Sequence, residues 1–459
     1  MYMKHFRNLL VLTFSFVLFS PGIIAQKKKA PKEVINPTVG LPTTGIVPNL
    51  SDSALLDLVQ RQTFRYFWDF AHPVSGLSRE RSNAAYDYGE EVVTSGGTGF
   101  GVMAIIVATE RKWISREQAV DRLLKMVNFI RKADHYHGIF PHWWNGATGK
   151  TIPFSRRDDG GDIVESAYLF QGLLCVRQYF NRDDPKESEL RNKITWTWNE
   201  AEWDWYTKGG QSILFWHWSP NNGWAMNHEI RGWNECLITY VMAASSPNYS
   251  IKPEVYHRGW ANSNHFKNER EYYGIRLPLG FDYGGPLFFS HYSFLGIDPR
   301  GLKDHYADYW EQNKNHTLIN REHCIRNPKG FKGYGPDCWG LTASDNHEGY
   351  NAHSPDNDLG VISPTAALSA FPYTPEYSMQ ALKHFYYKLG DKIWSQYGFV
   401  DAFNESKDWY AKSHLAIDQG PIIVMIENYR SGLLWKLFMN VPEIQQGLKK
   451  LGFQSAYLK

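Results

Sequence analysis

A chain of 459 residues, 43% hydrophobic and 15% aromatic, excludes a disordered protein and has room for one large domain or two medium ones. Its 49 basic and 47 acidic side chains nearly cancel, so its surface offers no electrostatic case for nucleic acid or an anionic membrane. Four cysteines, Cys175, Cys236, Cys324 and Cys338, are too few in this length for a disulfide scaffold.

The N-terminus carries Lys4 and Arg7, then the apolar run Leu9 to Phe19, then the small-residue end "GIIA". Residues 1–25 therefore read as a secretory signal cleaved after Ala25, which predicts a periplasmic or secreted protein. The apolar run is shorter than the ~20 residues a membrane span needs. No cysteine follows the cleavage point, so neither a spanning helix nor a lipid anchor is expected. Residues 26–50, rich in Lys, Pro and Thr without apolar period, read as a linker.

From Ser51 onward helical periodicity sets in. Six apolar stretches follow: "GGTGFGVMAIIVATER", "GGDIVESAYLFQGLLCVRQYF", "NHEIRGWNECLITYVMAAS", "GGPLFFSHYSFLGI", "LGVISPTAALSAF" and "AIDQGPIIVMIENYR". Between them lie amphipathic stretches such as "SREQAVDRLLKMVNFIRKA" and "TPEYSMQALKHFYYKLG". A helix apolar all round is buried, and one with a polar stripe covers it. The alternation predicts an all-α (α/α)6 toroid over residues 51–459, with six inner and about six outer helices. In that architecture the inner helices present their N-termini around one cavity.

Polar anomalies mark the starts of these inner stretches. In "SRRDDGGDIVESAYLFQG", Asp158, Asp162 and Glu165 are spaced four and three apart and share one face if the helix reaches back to Asp158. The plainer reading makes Asp158 or Asp159 an N-cap, with the other acids bound to Arg156 and Arg157. His228, Arg231 and Glu235 fall at offsets 0, 3 and 7 of another inner stretch, where Arg231 and Glu235 could simply form a buried ion pair. Asp418 opens the last inner helix, where a cap would also suffice. Two turn-rich loops crowd Trp143, Trp144, Trp216, His217, Trp218 and Trp224 just before carboxylate helices, and Tyr350 lies in another. Ring faces there suit sugars, with imidazoles and amides for hydroxyls.

Other motifs are weak. "SGGTGFG" lacks the Lys-Ser/Thr of a phosphate loop, no HExxH occurs, and "SPDNDLG" has no Glu at the twelfth position of a calcium loop. No metal or other cofactor is expected. Cys175 and Cys236 read as buried thiols, while Cys324 and Cys338 flank a Gly- and Pro-rich loop and could pair.

The stretches "RRDDGGDIVESAYLFQGLL", "IRGWNECLITY", "FPHWWNGATG" and "AIDQGPIIVMIENYRSG" resemble the bacterial glucoamylase-like domain family, which includes the endo-β-1,2-glucanases of glycoside hydrolase family 144. The resemblance implies an (α/α)6 toroid that cleaves β-1,2-glucan with inversion and without a metal. It puts functional acids at Asp158, Asp162, Glu165, Glu235 and Asp418. Helix starts should lower the pKa of Asp162 and Asp418, while an apolar helix should raise that of Glu235. Glu235 is thus expected as general acid and Asp418 as general base, in a monomer acting on β-glucan. An exo-acting or other-linkage hydrolase of the same toroid, or a non-catalytic glycan-binding protein, are the alternatives.

Overall fold

Ser51 caps the first helix with its hydroxyl, accepting from the Ala54 N–H at 3.3 Å, and the apolar face that follows is buried from Leu55 to Phe67. In this computed structural model residues 45–82 and 89–458 are described, all within one compact unit. The expected signal peptide and most of the expected linker lie outside the described residues.

The helices in chain order are α1 Asp52–Trp68, α2 Ser95–Glu110, α3 Arg116–Ile130, α4 Ile163–Tyr179, α5 Pro185–Asn199, α6 Leu237–Ser245, α7 Tyr309–Arg326, α8 Pro364–Leu368, α9 Pro375–Tyr387, α10 Gly390–Ile393, α11 Ala416–Ser431, α12 Leu433–Met439 and α13 Pro442–Lys450. The inner ring runs α2, α4, α6, a pair of 3-10 turns at Leu287–Ser290 and Ser293–Leu295, α8 and α11, and α11 closes it against α2. Outside it lie α1, α3, α5, α7, α9 and α13. This is the (α/α)6 toroid. Two of the six inner members are not long helices. The "GGPLFFSHYSFLGI" stretch is restricted to 3-10 turns after Gly284 and Gly285, both at positive φ, and α8 spans five residues.

Local chemistry explains the outer helices. Ser115 and Gln118 form a reciprocal capping box on α3, and Asp184 with Pro185 starts α5. The inner helices depend on tertiary burial instead. Every residue of α2 from Ser95 to Thr109 is buried. A Cβ on Gly99 would overlap the Tyr168 carbonyl of α4, and one on Gly172 would overlap the Gly99 carbonyl, so these two backbones touch directly. This is what Gly99 of "SGGTGFG" does. Arg111 of α2 bonds Glu427 of α11 through two contacts of 2.8 and 3.1 Å, tying the ring where it closes.

Short strands trim one end of the ring. β1 (Val92–Thr94), β2 (Trp143–Asn145) and β3 (Thr151–Ile152) form a sheet, and β4 (Gly161–Asp162) pairs antiparallel with β5 (His217–Trp218). β6 (Lys267–Tyr272) and β7 (Ile275–Leu279) form a hairpin against α7, and the hairpin of β8 (Ala343–Asn346) with β9 (Gly349–Ala352) brings Ala343 and Tyr350 to the site. Among the described residues no helix is long and apolar enough to cross a membrane. All four cysteines are free and buried, so Cys324 and Cys338 are not bonded.

Candidate active site

A cavity of about 470 Å³, in the size range of small-molecule sites, opens at the end of the ring where α2 and α4 begin. Asp158, Asp162, Glu165 and Glu235 line it together with Glu80, but not as the expected helical columns. Helix α4 starts at Ile163, and Asp162 is its N-cap, with Oδ1 accepting from the Val164 and Glu165 N–H groups at 3.0 and 2.9 Å. Gly160 and Gly161 stop the helix from reaching Asp158, because both lie against the neighbouring loop and Gly161 is paired in register with Trp218. That same pairing sets Asp162 opposite His217. Asp158 sits in a tight turn and meets His217 Nε2 at 3.3 Å rather than Arg156 or Arg157, whereas Asp159 accepts from Asn221 and Asn222.

His142 completes this cluster. Its backbone carbonyl accepts from the Ser95 N–H at the start of α2, and its Nδ1 lies 3.2 Å from Asp162 Oδ2. Desolvation disfavours its charge, yet Glu165, Asp162 and Asp158 outweigh that and push its pKa up to about 9, so the ring is an imidazolium at neutral pH. Burial alone would raise Asp162, but the His142 hydrogen bond and the neighbouring His217 hold it below the usual carboxylate value. Glu165 goes the other way. Burial, helped by Asp162 and Asp158, lifts it to about 7 although Gly96 N–H donates to its Oε2 at 3.0 Å.

Glu235 is not two turns inside a helix. Gly232, at φ +82°, turns the chain, and the Asn234 side chain caps the Cys236 N–H at 2.9 Å, so α6 starts only at Leu237. Glu235 stands in the cavity wall, where desolvation and the charges of Glu165 and Asp162 lift its pKa to about 7. The Arg231–Glu235 ion pair of the plainer reading does not form; Arg231 is exposed and bonds Glu229.

Asp418 corrects the helix-dipole argument. It lies in the first turn of α11, buried just behind the cavity wall, with Oδ1 3.5 Å from the hydroxyl of the cavity-lining Tyr292. Burial raises its pKa to about 7, despite a side-chain hydrogen bond from Asp401. Asp401 is itself held well above the carboxylate range by burial and the charges of Asp418 and Asp345, so one proton is retained between the two acids. Asp401 Oδ2 accepts from the Asp345 N–H at 2.7 Å, and Arg81 bridges Asp345 to Glu80 at the cavity wall.

The aromatic residues divide. Trp143, Trp216, His217 and Tyr350 line the cavity, with Trp216 stacked on His228 at 5.0 Å between ring centres. Trp144 is core, donating Nε1–H to the Asp134 carbonyl. Trp218 and Trp224 join Trp205 in a separate aromatic cluster, leaving the cavity. Phe154, which sequence reading did not single out, is 48% exposed at the mouth and stacks on His142 at 4.1 Å. Its signal was an apolar residue beside "SRRDDGG", too common a pattern to read. Glu80, Arg81, His142 and Asp401 were also missed, because each acts through chain-distant partners. The "SPDNDLG" loop is structural: Asp358 bonds His323 and Tyr334, each at 2.8 Å.

His142, Asp158 and Asp162 bring donor atoms within 4.8 Å of one another, a spacing a cation could use. A cation there would have to displace the proton that the acids favour on His142, since a metal binds the neutral imidazole.

The glycoamylase family model, which describes glucoamylase, matches residues 227–442. The chain is similar to a Bacteroides uniformis protein solved under the same glucoamylase description, at 63% identity and TM-score 0.88 over 90% of this chain and 100% of that one. It is also similar to the Chitinophaga pinensis endo-β-1,2-glucanase solved with sophorotriose and glucose, at 57% identity and TM-score 0.88 over 89% and 100% of the two chains. A curated relative, the exo β-1,2-glucooligosaccharide sophorohydrolase (non-reducing end) of Parabacteroides distasonis, is 45% identical over 423 residues. That match takes in 88% of this chain but 58% of the relative's length. With an acid-lined cavity at one end of an (α/α)6 ring, and with these likenesses over nearly its whole described length, the chain belongs to the glucoamylase-like glycoside hydrolase family that includes the β-1,2-glucanases.

Proposed function

We propose that this protein hydrolyses β-1,2-glucan by endo attack with inversion, using Glu235 as general acid and Asp418 as general base. The observation that carries the reading is a set of carboxyl groups around one cavity in which Asp162 is held below the usual carboxylate value while Glu165 and Glu235 are raised to about 7. Glu235, lifted to about 7, keeps a proton to give the leaving glycosidic oxygen. Asp162 stays ionised beside the His142 cation, and Asp158, Asp162 and Glu165 hold sugar hydroxyls and water. Asp418, also near 7, is poised to take a proton, and the Tyr292 hydroxyl connects it to the cavity. Phe154, Tyr350 and Trp216 offer ring faces to glucosyl units.

A cyclic β-1,2-glucan distinguishes the modes, because it has no chain end. Opening of the ring and a ladder of linear oligosaccharides are expected. An untouched ring, with sophorose alone released from linear glucan, overturns endo action and favours the second reading. That reading, exo action, has the Parabacteroides relative in its favour. Proton NMR of the first-formed reducing end should show the α-anomer, and an initial β-anomer refutes inversion. We infer further that the enzyme is exported and monomeric; fractionation of the native host and sizing in solution test both.

A further inference from the structure

Outside the lining of the cavity, three residues of different segments converge. Cys338 is fully buried at the end of the turn that pairs with Gly335. His384 lies in the last turn of α9, and Glu405 opens a 3-10 turn after Asn404. One donor atom from each lies within 4.8 Å of the others. His384 Nδ1 is also 3.1 Å from Asp337 Oδ2, which leaves Nε2 with its lone pair. A carboxylate on the far nitrogen is the usual support of a metal-bound imidazole. Glu405 and Asp337 add two negative charges beside the thiol, and among the described residues neither makes an ion pair with Lys or Arg.

We propose that Cys338, His384 and Glu405 bind a zinc ion, with water as the fourth ligand. Sulfur, nitrogen and oxygen donors in a set of three suit tetrahedral zinc better than calcium or magnesium. Tetrahedral ligands stand about 3.3–3.8 Å apart, so the present spacing closes with small rotamer shifts. Binding replaces the thiol proton, which leaves as zinc takes the thiolate. The ion clasps α9, the 335–338 turn and the segment that begins at Glu405, four residues after Asp401. The sequence hid this cluster because its members are 46 and 21 residues apart.

The test uses the full protein, reduced with a non-chelating phosphine. Zinc titration should load one equivalent by elemental analysis and raise Tm by about 3 °C or more. Cobalt in its place should give a sulfur-to-cobalt charge-transfer band, which the sulfur-free His142 cluster cannot produce. Cys338→Ser should abolish the band, and Glu405→Gln should lose the bound equivalent while both keep wild-type activity at low temperature. His384→Gln serves should Cys338→Ser fail to fold. Absence of stoichiometric zinc, zinc retained by Cys338→Ser, or a Cys324–Cys338 disulfide in the isolated protein each overturns the proposal.

Discussion

Asp162 does two jobs with one carboxyl: Oδ1 caps α4 and Oδ2 faces the His142 cation. Asp162→Asn keeps a good cap but removes the charge that His142 and His217 favour, so some stability should be lost at neutral pH while the rate falls at least about a hundredfold. Asp162→Ala removes both and should lose about 0.5–2 kcal/mol more, seen as a lower urea midpoint. An active Asp162→Asn enzyme would reduce this residue to its cap. As the proposed general acid, Glu235 must be protonated to act, so kcat/KM should decline as pH rises through about 7. Glu235→Gln should remove that limb together with most of the activity, and an unchanged alkaline limb would assign the acid elsewhere.

At the level of elements, α2 and α4 meet through glycine. Gly99→Ala gains about 1 kcal/mol of helix propensity, but the new methyl meets a backbone carbonyl that no rotamer change can move. A net loss of about 2 kcal/mol or more is expected in denaturant melts. Activity should fall too, because Gly96 at the head of the same helix holds Glu165. A neutral Gly99→Ala would mean the two helices are not in backbone contact.

The ring behaves as one unit because α11 closes on α2. The fragment 227–442, which coincides with the family match, lacks α1 to α5 and four of the cavity acids, Glu80, Asp158, Asp162 and Glu165. It should show no cooperative thermal transition by circular dichroism, since the faces of α6 and α11 that pack on α4 and α2 would be bare. Stability of the whole molecule should depend on pH in a definite direction. Asp162, with its depressed pKa, contributes stability above pH 3.8 that is lost in acid. Glu165 and Glu235 are raised from 4.5 to about 7, so stability drops as pH rises across that window. The His142 contribution, complete below pH 6.5, disappears as pH rises through about 9. Tm should therefore decline steadily from pH 5 to 9. Because the proposed acid and base are carboxyl groups that work without a metal, EDTA should leave the initial rate unchanged, even where it lowers Tm by stripping the proposed zinc.

The alternation of all-apolar and amphipathic stretches by itself determined the ring of inner and outer helices, because helical burial is written as a period of 3.6 residues. Resemblance to known motifs placed the acids Asp158, Asp162, Glu165 and Glu235, which do meet in one cavity. Helix starts were beyond local reading. Periodicity carried α4 back to Asp158 and α6 back to His228, whereas Gly160, Gly161 and Gly232 take turn and strand geometry that only their neighbours impose. Proton affinity was decided by tertiary structure as well. A helix dipole argues for a low pKa at Asp418, but burial, with the charge of Asp345, 73 residues earlier in the chain, reverses the sign. Trp218 and Trp224 left the site, and Phe154 and His142 entered it, through contacts between loops rather than within them. Charge and desolvation depend on what lies within a few ångströms in space, and sequence distance does not encode that.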